Sequence, residues 1–368
     1  MKIYNIMIKP ASSLCNMRCK YCFYADVSKA RAVFSYGMMS EDTMTGIIKN
    51  IEKCVQKGDR VNFAFQGGEP TLSGLDYFVR FTEAVSKWEG ILVSYALQTN
   101  ALCIDEEWCE FLKKHKFLVG VSFDILPKAH DCVRVDVHEN GTYARVLQSI
   151  ELLKKHKVDF NVLCTLTDSI ARYPKQMWKQ LSRLDVEYVQ FTPCLGELDG
   201  NNSAYALTPK RFASFYNQIF SYWYNDYRAG KYRSIKLFDD VVNQMILGKP
   251  TSCGMDGSCR VQLVVEADGS VYPCDFYCLD EYMLGNLAQQ TIDELLSSQK
   301  VVEFLKGSNE KCDLCKKCTY FKFCGGNCKR MHAEICIGTD KSFCGYREFL
   351  DNCGSTLAQL AREIVKNK

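Results

Sequence analysis

Cys15, Cys19 and Cys22, in the run CNMRCKYC, follow a short apolar segment near the start of the chain. Three close-set thiolates on one loop can grip one face of a metal cluster. One corner is then left without a protein ligand and can take a small bidentate molecule. Soft sulfur donors suit iron–sulfur clusters and zinc alike, and the spacing alone does not select between them. A structural zinc site needs a fourth ligand, and no histidine lies nearby. A second concentration begins with Cys253-x5-Cys259 and Cys274. It continues through Cys315-x2-Cys318-x5-Cys324-x3-Cys328 to Cys344. These eight thiols suffice for two four-ligand sites, with zinc ribbons as the competing occupant.

The 368 residues include 21 cysteines, an odd number in a chain that is not small and shows no export signal. Disulfides are the weaker explanation, and metal ligation in a reducing compartment the stronger. About 47% of residues are apolar and 24% charged, as expected of one large domain and a smaller one with a sizeable core. The formal charge is only +3 and the basic residues are scattered, so nothing marks a nucleic-acid groove. No run of 18 apolar residues suggests a membrane span, and a cytoplasmic location is the default.

These thiols must be placed by regular elements, which the first 235 residues supply. Strand patterns at 4–8, 61–65, 92–97, 117–123, 159–163 and 186–191 alternate with helix patterns at 40–56, 76–88, from Asp105, at 142–156 and at 173–181. Six βα steps predict a parallel sheet, whose ligands sit beyond the carboxyl ends of the strands. Those ends carry Gln66-Gly67-Gly68-Glu69, Gln98-Thr99-Asn100 and Ser122 with Asp124. Residues 207–247 read as helical, 260–272 as a hairpin turning at Asp268-Gly269, 291–305 as a helix, and the segment after Cys344 as another. Periodicity alone also permits a doubly wound sheet.

The CxxxCxYC run followed by GGEP resembles the radical S-adenosylmethionine superfamily. The resemblance implies a partial (β/α)6 TIM-like barrel over 1–235, in which Cys15, Cys19 and Cys22 hold a [4Fe–4S] cluster. The amino and carboxylate groups of S-adenosylmethionine would chelate its open iron. Reductive cleavage of the cofactor would then yield a radical that removes a substrate hydrogen. Gln66, Gly67, Gly68, Glu69 and Pro70 match the loop that receives the methionyl amino group. Tyr24 matches an adenine-contacting aromatic, Ser122 and Arg134 match contacts to the methionyl and ribose portion, and Leu195 matches an apolar adenine contact. Residues 236–368 resemble a SPASM domain with two auxiliary [4Fe–4S] clusters and a C-terminal helix. By that likeness Cys253, Cys259, Cys274 and Cys328 hold the nearer cluster, and Cys315, Cys318, Cys324 and Cys344 the farther. Cys278, Cys312, Cys336 and Cys353 are spare. Cys54, Cys103, Cys109, Cys132, Cys164 and Cys194 read as buried small hydrophobes.

The segments IKPASSLCNMRCKYCFY, FAFQGGEPTL, SCGMDGSC and DGSVYPCDFY resemble the anaerobic sulfatase-maturating enzymes over nearly the whole chain. Such enzymes oxidise a cysteine or serine of a sulfatase, in a C/S-x-P/A-x-R segment, to Cα-formylglycine. The resemblance implies Asp275 as general base, accepting the thiol or hydroxyl proton as the second electron leaves. It also implies a substrate protein or peptide bound as an extended segment and a flavodoxin or ferredoxin as electron donor. Two departures stand near the cofactor end. Asp124 is followed by Ile125-Leu126 rather than glycine-proline, and the frequent QTNG becomes QTNA, ending at Ala101. Two rival functions remain at this level. One is a radical enzyme forming thioether or other crosslinks in a precursor peptide; the other is a nonenzymatic zinc-rich protein-binding module.

Overall fold

The computed structural model describes residues 1–200, 203–306, 312–338 and 341–367. The chain divides into two compact units. One comprises Met1–Ser122, Asp131–Phe160 and Val261–Lys306; the other Phe123–His130, Asn161–Arg260 and Gly307–Lys368. Each unit draws on both sides of residue 235.

The first unit contains β1 (Ile3–Ile8), β2 (Arg60–Phe65), β3 (Leu92–Thr99) and β4 (Leu118–Ser122), paired in parallel in that order. Alternating burial along β2 turns Val61, Phe63 and Phe65 into the core, where Phe65 packs edge-on against Phe78 and Phe81 of the helix Leu75–Val85. Helix starts follow capping chemistry. The Ser40 side chain accepts from the Thr43 N–H ahead of Glu41–Glu52, and Asp105 accepts from the Trp108 N–H ahead of Glu106–Lys114.

The second unit holds β5 (Phe160–Leu166), β6 (Tyr188–Pro193) and β7 (Ser234–Ile235), again parallel. The segment 207–247 is not one helix. It is Pro209–Arg228 and Lys236–Leu247, interrupted where Gly230 takes a positive φ and β7 joins β6. The long helix Gly345–Lys366 closes the described chain.

The hairpin is shorter than its pattern. β8 (Leu263–Val265) pairs antiparallel with β9 (Ser270–Tyr272), and β10 (Gly285–Asn286), unseen in the sequence, adds a third strand. Asp268 accepts from the Ser270 N–H, and Gly269 has φ +87°, so the turn needs three residues rather than two. β8 also lies parallel to β1, which brings the hairpin to the edge of the first unit's sheet. The 291–305 helix breaks at Ser297-Ser298 into Ile292–Leu296 and Gln299–Lys306, the first opened by a Thr291–Glu294 capping box.

Both family departures fall on unusual backbone. Ala101 has φ +63° and Ile125 φ +62°, a region where a side chain costs about 1–2 kcal/mol and glycine costs nothing. Among the described residues no helix is long and apolar enough to cross a membrane.

Candidate functional site

The cysteine loop is held on two sides within the first unit. Gly68 N–H donates to the Ser12 carbonyl at 2.7 Å and Glu69 N–H to the Leu14 carbonyl at 2.8 Å. On the other side Arg18 N–H reaches the Val135 carbonyl at 2.7 Å and Lys20 N–H the Val133 carbonyl at 2.9 Å. The GGEP loop approaches so closely that a Cβ on Gly68 would lie 2.1 Å from the Leu14 oxygen. Gly67, at φ +128°, is less tightly confined, a Cβ there meeting the Ser12 oxygen at 3.0 Å. Gly68→Ala is therefore expected to push the GGEP and cysteine loops apart. The check is iron content after anaerobic reconstitution together with S-adenosylmethionine binding, both of which should fall sharply.

Cys15, Cys19 and Cys22 are electrostatic neighbours, and burial pushes the Cys15 thiol up to about 12. Cys15 Sγ accepts from the Met17 N–H at 3.4 Å and from Asn100 Nδ2 at 3.7 Å, and Arg134 Nη1 stands 3.9 Å from Cys19 Sγ. Arg134 also lies 5.3 Å from the Tyr21 ring centroid. Asn100, placed by the sequence only at a strand end, and Tyr21 thus join the site. Tyr21 lies between two of the loop cysteines, a positional signal, whereas only the sheet register brings Asn100 to Cys15. Three close-set thiols, with N–H donors at the sulfurs of Cys15 and Cys19, fit an iron–sulfur cluster, whose sulfurs are tuned by such bonds.

Three expected cofactor contacts have other partners. Glu69 is buried and accepts from Thr71 N–H at 3.1 Å, Thr71 Oγ1 at 2.6 Å, Thr99 Oγ1 at 2.7 Å and Asn100 N–H at 2.7 Å. Burial raises its carboxyl above the usual range although these bonds pull it down. The side chain clamps its loop to the end of β3. Gln66 Nε2 donates to Asp275 Oδ2 at 2.7 Å. Tyr24 is buried, its hydroxyl bonded to Glu266, with Lys9 Nζ 3.5 Å from its ring centroid. Ser122 ends β4 half-buried, and Leu195, in the second unit, follows β6 half-buried.

Asp275 follows β9 at the start of the turn Asp275–Tyr277. Lys9, directly after β1, is 0% exposed and its Nζ lies 2.5 Å from Asp275 Oδ1. Burial works to discharge Lys9, but Asp275, with Cys278 and Glu266 beyond it, leaves its pKa above the ordinary lysine value. Arg31 Nη1 donates to Glu266 Oε1 at 2.8 Å, so two cations and two carboxylates share one buried cluster. Each Asp275 oxygen already accepts one hydrogen bond and retains a second lone pair for a proton.

The later cysteines fall into groups. Cys274 precedes Asp275 in the first unit. In the second, Cys253, Cys259 and Cys328 are electrostatic neighbours. Their segments interlock: a Cβ on Gly254 would lie 2.7 Å from Cys328 Cβ, and one on Gly257 2.1 Å from the Gly325 oxygen. Cys315, Cys318, Cys324 and Cys344 line one cavity with Cys336 and Tyr346. Burial lifts Cys315 to about 12 and Cys324 to about 11, whereas a hydrogen bond from Cys336 lowers Cys344 to about 7. Four soft donors around one cavity fit a cluster, which would displace the thiol protons. Among the described residues, no three His, Cys, Asp or Glu side chains form a group that could hold a single metal ion. Of the cysteines expected to be buried, Cys54, Cys109, Cys164 and Cys194 are. Cys103 is half-buried, and Cys132 is exposed because the short helix Pro127–Val133 turns it outward.

Comparison with known proteins agrees with this geometry. The Radical SAM superfamily model matches residues 10–171, and the SPASM model, an iron–sulfur cluster-binding domain, matches 257–319. A cysteine-type anaerobic sulfatase-maturating enzyme of Clostridium perfringens is 39% identical, with 98% of this chain and 99% of the relative covered. A serine-type enzyme of Klebsiella aerogenes is 26% identical over 98% of this chain and 88% of the relative. Native anSMEcpe, solved with bound AdoMet and the Cp18Cys peptide, matches with TM-score 0.89 at 38% identity, covering 98% of this chain and 99% of that one. Streptococcus suis SuiB bound to precursor peptide SuiA shares the fold alone, with TM-score 0.62 at 14% identity over 89% of this chain and 72% of that one. S-adenosylmethionine, a [4Fe–4S] cluster and further iron–sulfur clusters are thus the cofactors of this α/β chain, and the zinc-module alternative falls away. With full-length identity at this level and both cysteine-bearing domains in place, the chain belongs to the anaerobic sulfatase-maturating enzymes of the radical S-adenosylmethionine superfamily.

Proposed function

We propose that this chain oxidises a cysteine in a C-x-P-x-R segment of a sulfatase to Cα-formylglycine, with Asp275 as the base. The observation that carries this reading is the placement of Asp275 between Lys9 and Gln66 at strand ends. A cysteine target is supported by the higher identity to cysteine-type relatives, 39% against 26% for a serine-type one. Serine is the alternative target in the same segment.

Residues 1–235 act as the radical domain and 236–368 as the SPASM domain. Cys15, Cys19 and Cys22 hold the first cluster. Cys253, Cys259, Cys274 and Cys328 hold one auxiliary cluster, and Cys315, Cys318, Cys324 and Cys344 the other. Bound, these groups and S-adenosylmethionine supply hydrogen-atom removal from the substrate Cβ and an exit for the second electron. The protein aims that chemistry. The Gly67-Gly68 backbone, with Ser122, Arg134 and Leu195, forms the cofactor's contacts. Gln66 and Lys9 orient Asp275, and Tyr24 supports Lys9 rather than adenine. Asp275 accepts the substrate thiol proton as the carbon–sulfur double bond forms. Water then adds to the thioaldehyde, giving the aldehyde and hydrogen sulfide. The target enters as an extended segment so that its Cβ comes into reach. A flavodoxin or ferredoxin supplies the initiating electron.

Anaerobic reconstitution should give about twelve iron atoms per chain, as three clusters of four. Incubation with a C-x-P-x-R peptide should replace sulfur and two hydrogens by one oxygen, read by mass spectrometry. An unchanged peptide alongside intact cofactor cleavage would sink the maturase reading.

A further inference from the structure

Tyr346 is 2% exposed, yet its hydroxyl oxygen is buried without a hydrogen-bond partner among the described residues. A phenol left so is costly, and phenylalanine would avoid that cost. The residue follows Cys344 by two at the start of Gly345–Lys366, and it lines the cavity of Cys315, Cys318, Cys324 and Cys344. Its ring is fixed by Phe212, with centroids 6.3 Å apart, and by Phe349 at 6.0 Å. Cys324 and Cys336 are among its electrostatic neighbours. The fifth thiol of the cavity, Cys336, lies 3.4 Å from Asn327 Nδ2 and 3.5 Å from the Gly326 carbonyl oxygen, and is also a hydrogen-bonding neighbour of Cys344. Tyr346 is therefore a fixed side chain on the lining of a sulfur-rich cavity, with a buried hydroxyl that has no partner among the described residues.

We propose that the Tyr346 hydroxyl donates a hydrogen bond to the sulfur shell of the iron–sulfur cluster held in this cavity and thereby raises its reduction potential. Reduction adds negative charge to the cluster, and a donor at its sulfurs stabilises that charge. The inference rests on the reading that these four cysteines bind a cluster, and its test separates the two.

The experiment uses the reconstituted full-length chain with Cys15, Cys19 and Cys22 replaced by alanine, which leaves only the auxiliary clusters to titrate. Iron and sulfide are measured first, then the reduction midpoints by electron paramagnetic resonance. Tyr346→Phe should keep its iron and move one of two reduction waves to more negative potential, leaving the other in place. An exchangeable-deuteron coupling to the reduced cluster should be present with Tyr346 and lost in the variant. Unmoved waves at full iron content overturn the hydrogen bond and leave the cluster assignment standing. Should Tyr346→Phe fail to load, absence of that coupling in the chain retaining Tyr346 overturns it equally. Cys315→Ala with undiminished iron overturns the cluster reading itself.

Discussion

Aldehyde formation from a C-x-P-x-R peptide is expected to fall by about 10²–10⁴-fold in Asp275→Asn, while S-adenosylmethionine cleavage continues. The split follows from position. Asp275, after β9, meets Lys9 and Gln66 at the ends of β1 and β2, and among the described residues its side-chain hydrogen bonds go to these two rather than to the cysteine loop. Asparagine cannot take the proton. It must also turn its amide towards either Lys9 Nζ or Gln66 Nε2, both donors, so one pairing becomes a donor–donor clash. The variant should therefore also be less stable, and its iron content must be measured alongside product. Full aldehyde formation by Asp275→Asn would remove Asp275 from the mechanism.

Lys9→Met carries the second large effect. It leaves the Asp275 carboxylate buried without its cation, and breaking one side of a buried pair costs about 3–5 kcal/mol. Urea unfolding of the apoprotein should show the loss as a lower midpoint, and product formation should fall because Asp275 loses a tether. Lys9→Arg restores the charge, but the wider guanidinium must fit between Asp275 and the Tyr24 ring, where Lys9 Nζ stands 3.5 Å from the centroid. Partial recovery is expected, in stability more than in rate. The pH dependence has a defined sign. The folded pKa of Lys9 lies above its ordinary 10.5, so its contribution is complete below that value and disappears as pH rises through the folded pKa. Between neutral pH and pH 10 the wild type should therefore lose nothing on this account, and the gap to Lys9→Met should close only in stronger alkali.

Elements with strong period and caps were legible in the sequence. Ser40, Asp105 and Thr291 mark their helix starts through short-range bonds to the backbone three residues on. Elements set by distant partners were not. β10 exists because β9 offers it an edge, and Phe23–Lys29, directly after Cys22, has no side-chain cap to announce it. The 207–247 segment looked continuous because β7, two residues long, leaves no periodic trace.

The chemistry-bearing positions follow the same division. Thiol spacing within a loop is local, so the sequence determined that Cys15, Cys19 and Cys22 can share one centre and that the late cysteines suffice for two more. It also placed Asp275 beside Cys274. Only the tertiary structure decided what Asp275 meets: Lys9 lies 266 residues away and Gln66 209. Strand order joins them, because β8 docks on β1 and carries β9 with it. The same folding turned the Glu69 side chain inward and left the Tyr346 hydroxyl buried without a partner among the described residues. Spacing along a chain fixes which groups can act together locally. Which groups meet across hundreds of residues, and which lone pairs remain free, depends on sheet register and burial.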